Sequence, residues 1–162
     1  MPHETKGIGD ILSTAAGSAA RYNEGKPAVE LIPLLVVYET LGESTLTLPL
    51  YHLGRFQLRL GSDQENIGNT IHSVGADWEN CARVFDYGRR KYAEWNWLKG
   101  MPWSAALGSA SRHMLARIGG EEMDPESGLT HTGHIMCNLV MLSTYLSRYP
   151  AGDDRPHLPE KT

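Results

Sequence analysis

The sequence THTGHIMCNLVMLSTYLSRY, residues 130–149, contains the longest amphipathic pattern of the chain. Its apolar side chains recur three or four positions apart, in a main row formed by Ile135, Leu139, Leu142 and Leu146. Pro150 follows at once and cannot continue a helix. The pattern therefore predicts a long helix from about Thr130 to Tyr149 that buries one face against other helices.

Five further segments carry helical signals, and there is no convincing strand pattern and no internal repeat. Helices are predicted at residues 33–43, 49–60, 63–72, 75–95 and 104–119. Pro33 suits a first helical turn, Ser62 and Ser104 are good N-caps, and Gly119 with Gly120 ends a helix. We therefore expect an all-α fold, a compact helical bundle that forms a single domain over residues 1–162.

The two ends of the chain and two helix faces carry additional signals. The Gly-, Ala- and Ser-rich residues 1–27 predict an irregular N-terminal arm, mobile over 1–20, and the polar residues 151–162 predict a disordered tail. The buried stripe of the helix at 75–95 is predicted to contain Val74, Trp78, Cys81 or Ala82, Phe85, Tyr92 and Trp95. The small residues at 105–111 allow another backbone to come close, and we expect a homo-oligomer.

Composition limits the classes of function. The formal net charge of −4 argues against a protein that binds polymeric nucleic acid, because such proteins usually carry a basic face. The apolar run at 31–37 is interrupted by Pro33 and is far too short to span a membrane, and the first residues show no signal-peptide pattern. Cys81 and Cys137 lie in apolar helical patterns, which is typical of reduced core thiols. A cytoplasmic protein is expected.

Polar side chains lie on the inward face of the last predicted helix. His131, His134 and Asn138 are spaced i, i+3 and i+7, so they share one face with packed residues. They follow four acidic residues, namely Glu121, Glu122, Asp124 and Glu126. Buried polar groups need partners, and carboxylates with imidazole suit Mg²⁺ or Mn²⁺. Alternatively, the acids only favour the positive end of the helix and the histidines bond to backbone.

A basic and aromatic set precedes this segment. Arg112 and His113 lie together in one helix, and Lys91 and Lys99 flank a Trp-rich turn. Basic groups near carboxylates and a cation are what a polyphosphate requires. Asn96 lies between two tryptophans, where its amide is suited to a base edge. The aromatic residues Tyr92, Trp95, Trp97 and Trp103 are better explained as core or interface than as base-stacking groups.

Several catalytic motifs are absent from the sequence. There is no Gly-rich phosphate loop, Rossmann fingerprint or nucleophile elbow, and no CxxC or HExxH pattern that would indicate zinc. The His-Asp doublet of one class of metal phosphohydrolases is missing as well.

Three stretches carry a resemblance to a known family. They are RYNEGKP (21–27) with ELIP (30–33); VFDYGRRKYAEWNW (84–97) with KGMPWS (99–104); and RH (112–113) followed by GEEMDPESGL (120–129), His131, His134 and Asn138. From about residue 20 to residue 156 the chain resembles the phage dATP/dGTP diphosphohydrolase family. The resemblance implies a divalent metal and removal of pyrophosphate from a purine deoxynucleoside triphosphate, and it suggests kinship with the all-α MazG-like pyrophosphohydrolases.

The sequence also departs from those patterns. Glu121-x-x-Asp124 matches the second half of the MazG-like signature, but no Glu-x-x-Glu precedes it. Thr130 stands where proline is common, and residues 44–73 form a long helical insertion.

The resulting hypothesis assigns a role to each group. Glu121, Asp124 and His134, helped by Glu122 or His131, are predicted to hold Mg²⁺ or Mn²⁺ and to form the catalytic site. A water made more acidic by the cation then attacks the α-phosphorus in line, and pyrophosphate leaves. The predicted substrate contacts are Lys26, Lys91, Asn96, Lys99, Arg112, His113 and Asn138. Two alternatives stay open: a metal phosphohydrolase that releases triphosphate or acts on monophosphates, and a non-catalytic helical interaction protein.

Overall fold

The computed structural model describes residues 25–159, which form six α-helices. We label them α1 (Leu34–Leu41), α2 (Leu48–Gln57), α3 (Asp63–Ser73), α4 (Trp78–Lys91), α5 (Trp103–Ile118) and α6 (His131–Arg148). Short 3₁₀ turns lie at Val29–Leu31, Asn96–Lys99 and Pro150–Gly152. Within this part of the chain the β-structure is limited to an isolated bridge between Met123 and Thr130. The prediction of an all-α fold is confirmed, whereas the arm predicted at residues 1–20 lies outside the described residues.

Helix α6 is the central element of the bundle. It begins where predicted, because the Thr130 hydroxyl accepts a hydrogen bond from the Gly133 amide at 3.0 Å, and it ends before Pro150. Its apolar face is packed by α5 and α4, and Ile135, Leu139 and Leu142 are fully buried. Burial of these side chains supplies most of the driving force that fixes the helix at the centre. None of the helices in residues 25–159 is long and apolar enough to cross a membrane.

Helix α4 differs in part from its prediction. It begins at Trp78 because the Asp77 carboxylate accepts a hydrogen bond from the Asn80 amide at 3.0 Å, and it ends at Lys91. Cys81 and Val84 are buried, but Trp78 is 57% exposed. The prediction that Trp78 belongs to the buried stripe was wrong, because the first turn of α4 approaches α6 at Asn80, which lies against Gly133, while the Trp78 side chain is exposed.

Of the two serines predicted as N-caps, Ser62 is confirmed for α3 and Ser104 is wrong for α5. Ser62 caps α3 by accepting from the Glu65 amide at 3.2 Å. Ser104 does not cap α5, which begins one residue earlier at Trp103. Instead its amide and hydroxyl donate to the carboxylate of Asp154, at 2.8 and 2.5 Å. A side chain from the C-terminal segment thus satisfies the first turn, and no sequence rule for local caps includes such a partner.

The C-terminal segment does not follow the prediction of disorder over its first part. Arg155 is 5% exposed and forms ion pairs with Asp63 and Asp153, at 2.7 and 2.9 Å. Its guanidinium carbon lies 4.3 Å from the centre of the Phe56 ring and 4.9 Å from that of Trp103. The segment after α6 is therefore attached to α2, α3 and α5.

The small-residue face of α5 is covered by the chain itself. The Glu30 side chain lies over Gly108, where a β-carbon would come within 2.5 Å of the Glu30 Oε2 atom. The Gln57 side chain holds the same segment, because its amide group donates to the carbonyls of Glu30 and Ile32 and accepts from the Leu34 amide. The Glu30 side chain thus covers part of the small-residue face at 105–111, from which a homo-oligomer was predicted. The homo-oligomer stays a prediction.

Candidate functional site

A cavity of about 970 Å³ lies between α4, the turn after it, α5 and α6. Lys26 contributes to the lining. One set of lining side chains, which we call the polar end, consists of His113, Asp124, Glu126, His134, Arg112 and Lys91. A second set, which we call the aromatic end, includes Met101 and the rings of Phe85, Trp95 and Trp97, which contact one another through Trp97. Tyr92 lines the cavity beside the polar end, since the Nζ atom of Lys91 lies 5.6 Å from the centre of its ring. The cavity lining therefore combines two chemically different sets of side chains.

At the polar end three ligand-type side chains converge. Each of His113, Asp124 and His131 offers one potential metal-ligand atom, and these three atoms lie within 4.8 Å of one another. His113 comes from α5, His131 from the first turn of α6, and Asp124 from the connector between these helices. The connector is fixed by backbone hydrogen bonds, from the Asp124 amide to the Leu129 carbonyl and from the His131 amide to the Glu122 carbonyl.

Glu121 orients His131 from behind. Its carboxylate lies 2.7 Å from the Nε2 atom of His131, while the Nδ1 atom of the same ring lies 2.8 Å from Nδ1 of His113. Because the carboxylate accepts, Nε2 of His131 carries the proton, and the electron pair on its Nδ1 atom accepts a hydrogen bond from Nδ1–H of His113. A cation bound to Nδ1 of His131 would take the place of this hydrogen bond. A carboxylate that fixes a histidine in this way is the usual outer partner of a metal-binding imidazole.

Ser127 connects Asp124 with His134. Its amide and hydroxyl both donate to Oδ2 of Asp124, at 2.9 and 2.7 Å. Since the hydroxyl proton is used for Asp124, the Nε2 atom of His134, 2.7 Å away, donates to the Ser127 oxygen. Burial raises the pKa of Asp124, but the hydrogen bonds from Ser127 outweigh it, and the net pKa is below the ordinary value. Asp124 is therefore ionised at neutral pH.

His113 and His134 are neutral at pH 7. Burial is the main cause that lowers the pKa of His113 to about 3. Burial also lowers the pKa of His134. The two rings stack with their centres 4.3 Å apart and their planes at 8°. Neutral imidazoles have the free electron pairs that metal binding requires.

The cationic groups at the polar end differ in their partners. Lys26 and Lys91 both contact Glu126, at 3.2 and 3.3 Å, and these contacts hold the pKa of Glu126 below its ordinary value. The Nε atom of Arg112 is buried and, among the described residues, has no hydrogen-bond partner. A buried donor without a partner costs free energy, which makes Arg112 the group most in need of an anionic ligand.

The structure brings most of the predicted site residues to one place. The cavity is lined by Lys26, Lys91, Asn96, Arg112, His113, Asp124, His134 and Asn138. Glu121 and His131 lie immediately behind this wall. Lys99 does not line the cavity, and Glu122 contributes its backbone carbonyl while its side chain is exposed. The structure therefore gives no support to substrate contact by Lys99 or to metal binding by Glu122.

Two contributions were missed from the sequence. His113 was assigned to the substrate and not to the ligand-type cluster, because its proximity to His131 depends on how α5 docks against α6. Ser127 was not assigned at all. The Asp-Pro-Glu-Ser order is typical of a turn in which the aspartate accepts from the serine three residues later, and that local signal could have indicated the Asp124 contact.

The fold and the site define an all-α protein whose cavity is lined in part by metal-ligand-type side chains. The sequence profile of the dATP/dGTP diphosphohydrolase N-terminal family matches residues 74–155, half of the chain, and the protein belongs to this family. A dATP/dGTP diphosphohydrolase of Salmonella phage PMBT28 is 34% identical over 77 residues, which is 48% of this chain and 26% of that protein. The match thus spans about a quarter of the relative's length. No solved structure matches the chain.

Proposed function

We propose that the protein is a metal-dependent hydrolase that converts purine deoxynucleoside triphosphates, dGTP or dATP, to the monophosphate and pyrophosphate. The observation that carries the proposal is a single cavity lined both by His113, Asp124 and Arg112 and by a set of aromatic rings. His113 and Asp124 form with His131 a group of three metal-ligand-type side chains. Family membership and the name of the phage relative support the choice of nucleotide. The proposed setting is phage nucleotide metabolism in the host cytoplasm.

His113, Asp124 and His131 are proposed to hold a divalent cation. Two imidazoles and one carboxylate suit Mn²⁺ better than Mg²⁺, which prefers oxygen ligands. When bound, such a cation neutralises phosphate charge and makes a water molecule more acidic. In this proposal Glu121 orients His131, and His134 acts beside the cation as a partner of Ser127, because its Nε2 atom already donates to that hydroxyl.

The chain's own residues would position the triphosphate and the base. Arg112 would donate from its buried Nε atom to a phosphate oxygen, and Lys26 and Lys91 would neutralise the remaining charge. Asp124 keeps its Oδ1 atom for the cluster, since Ser127 donates only to Oδ2. The aromatic end of the cavity, with Asn96 in its wall, would hold the purine and exclude water from it.

The proposal is tested by product analysis. The protein is incubated with each dNTP and each rNTP in Mg²⁺ or Mn²⁺, and products are separated by anion-exchange chromatography. The expected products are dGMP or dAMP with pyrophosphate. Release of intact triphosphate, turnover of monophosphates, or no turnover with any nucleotide would overturn it, and each of these outcomes corresponds to one of the alternative functions.

A further inference from the structure

Trp95 differs from the other tryptophans in the turn after α4. Trp103 is 3% exposed in the core, and Trp97 is half-buried against Phe85 and Tyr145. Trp95 is 45% exposed, yet it lines the cavity. It is therefore not part of the buried stripe predicted for the helix at 75–95, and of the two roles expected for it, core or interface, the structure excludes the core. Part of its indole is accessible to a ligand.

The backbone at Trp95 is held in an unfavourable conformation. Its φ and ψ angles of 59° and 15° lie in the left-handed region, which bulky side chains rarely adopt. The turn is stabilised by the Trp95 carbonyl, which accepts from the Leu98 amide at 3.0 Å. The next residue, Asn96, is 8% exposed and lines the same cavity. Strain of this kind is retained where it positions a functional side chain.

The aromatic rings at this end offer a flat apolar surface to a ligand. The centres of the Trp95 and Trp97 rings are 6.2 Å apart with their planes at 43°, so the two indoles are in tilted contact, and Trp97 in turn contacts Phe85. Phe85 and Tyr92 also line the cavity. Every nucleobase has a π-face that stacks on an indole, and the larger purine rings cover more of it.

We infer that Trp95 is the base-stacking residue of the cavity, a specificity-determining group that covers the purine while Asn96 lies at its edge. The inference rests on the proposed function for the identity of the ligand as a nucleotide. The Trp95 ring is expected to determine nucleotide affinity, and its strained backbone to affect only stability.

Binding of the product dGMP tests the inference without any turnover. Isothermal titration with dGMP and, separately, with pyrophosphate is carried out on the wild type, Trp95→Ala and Trp95→Phe. Loss of a base–aromatic stack is expected to weaken dGMP binding about 5- to 150-fold in Trp95→Ala. Trp95→Phe should retain dGMP affinity within about fivefold, and pyrophosphate affinity should change less than twofold in both variants.

Two further variants separate the ring from the fold. Trp95→Gly removes the ring and relieves the left-handed strain, so it should melt at a higher temperature than Trp95→Ala but bind dGMP equally weakly. Trp78→Ala is the matched control, because Trp78 is 57% exposed and lies outside the cavity lining; it should bind dGMP like the wild type.

The inference is overturned if Trp95→Ala binds dGMP as tightly as the wild type, if dGMP and pyrophosphate affinities fall together, or if the wild type does not bind dGMP. Failure of the proposed function has a different signature. It would appear as absent or altered hydrolysis products while the dGMP affinities still follow the Trp95 ring.

Discussion

Arg112 shows how a single side chain can be costly for the fold and useful for the site. Its Nε atom is buried and finds no hydrogen-bond partner within residues 25–159, although many of its neighbours along α5 are small or apolar. An apolar residue at this position would stabilise the fold more, since an unpaired buried donor lowers the free energy of unfolding by about 1–3 kcal/mol. The cost is explained if an anionic ligand supplies the missing acceptor.

Replacing Arg112 should therefore change stability and activity in opposite directions. Arg112→Met keeps the aliphatic volume and removes the unpaired donor, so the free energy of unfolding should stay the same or rise by about 1 kcal/mol. The value of kcat/KM for dGTP should fall about 10- to 150-fold, the loss expected for a charge-assisted hydrogen bond. Arg117→Met, on the same helix but outside the cavity lining, is the control. Unchanged kcat/KM in Arg112→Met would contradict the phosphate role.

At the residue scale, the sequence indicates which candidate site residues lie together when they belong to the same helix. His131, His134 and Asn138 share a face of α6, and helical spacing alone is enough to bring them together. His113 lies on another helix, so its contact with His131 requires the docking of α5, which no spacing rule provides. Lys99 shows the opposite error: it is near the other basic residues in the sequence but not in the cavity lining.

At the scale of elements, the spacing between α4 and α6 depends on a glycine. A β-carbon at Gly133 would lie 2.8 Å from the backbone oxygen of Asn80, and backbone cannot move aside as a flexible side chain can. The residue after Gly133 is His134, so this close contact also fixes where the histidine enters the cavity.

Two glycine substitutions should have opposite effects on stability. Gly133→Ala should lower the free energy of unfolding by about 1–3 kcal/mol, because α4 and α6 must separate. Gly68→Ala, in the middle of α3 with nothing near its β-carbon position, should raise it by about 0.5–1 kcal/mol. Urea titration measures both. Unchanged stability in Gly133→Ala would contradict the close approach of α4 and α6. Loss of stability in Gly68→Ala would contradict the open space around Gly68.

The attachment of the C-terminal segment makes a second prediction at this scale. Arg155→Ala leaves Asp63 and Asp153 without their buried partner and should cost about 3–5 kcal/mol. Arg90→Ala, which breaks an exposed ion pair with Asp86, should cost less than about 1 kcal/mol. Equal and small losses in the two variants would show that the segment is not part of the folded core.

The same contact predicts how stability depends on pH. Burial raises the pKa of Asp153, but the hydrogen bonds from Arg155 and Arg59 outweigh it and lower that pKa to about 2. The folded-state pKa is thus below the unfolded value, so the stabilisation is complete above about pH 4 and is lost as the pH falls toward 2. The loss in the wild type amounts to about 2 kcal/mol and should be reduced in Arg155→Ala.

The helices could be predicted from the sequence because each segment has its own hydrophobic periodicity, and several have residues that cap or end a helix. The starts of α3 and α6 follow from Ser62 and Thr130, whose side chains cap the first turn. The start of α5 was wrong by one residue because its first turn is satisfied by Asp154, fifty residues away. Long-range contacts also explain why the expectation of a disordered tail failed over its first part: the polar composition does not reveal that Arg155 is buried against the Phe56 and Trp103 rings.

For the whole molecule, ligand binding should be visible as stability. If His113, Asp124 and His131 hold a cation only in the folded state, saturating Mn²⁺ should raise the melting temperature by about 5 °C. His113→Ala should abolish the shift, while His72→Ala, an exposed histidine on α3, should keep it. The shift is measured by differential scanning calorimetry after treatment with EDTA. An identical shift in His113→Ala would exclude this histidine from the cation site.

The central claim is that the cluster around Asp124 directs water to the α-phosphorus of a purine dNTP. The most direct test is hydrolysis of dGTP in H₂¹⁸O, followed by ³¹P NMR, for the wild type, Asp124→Asn and the exposed control Glu39→Gln. We predict dGMP and pyrophosphate with the label in dGMP for the wild type and the control, and no turnover for Asp124→Asn while its circular dichroism stays helical. Label in pyrophosphate, release of triphosphate, or full activity of Asp124→Asn would contradict the account.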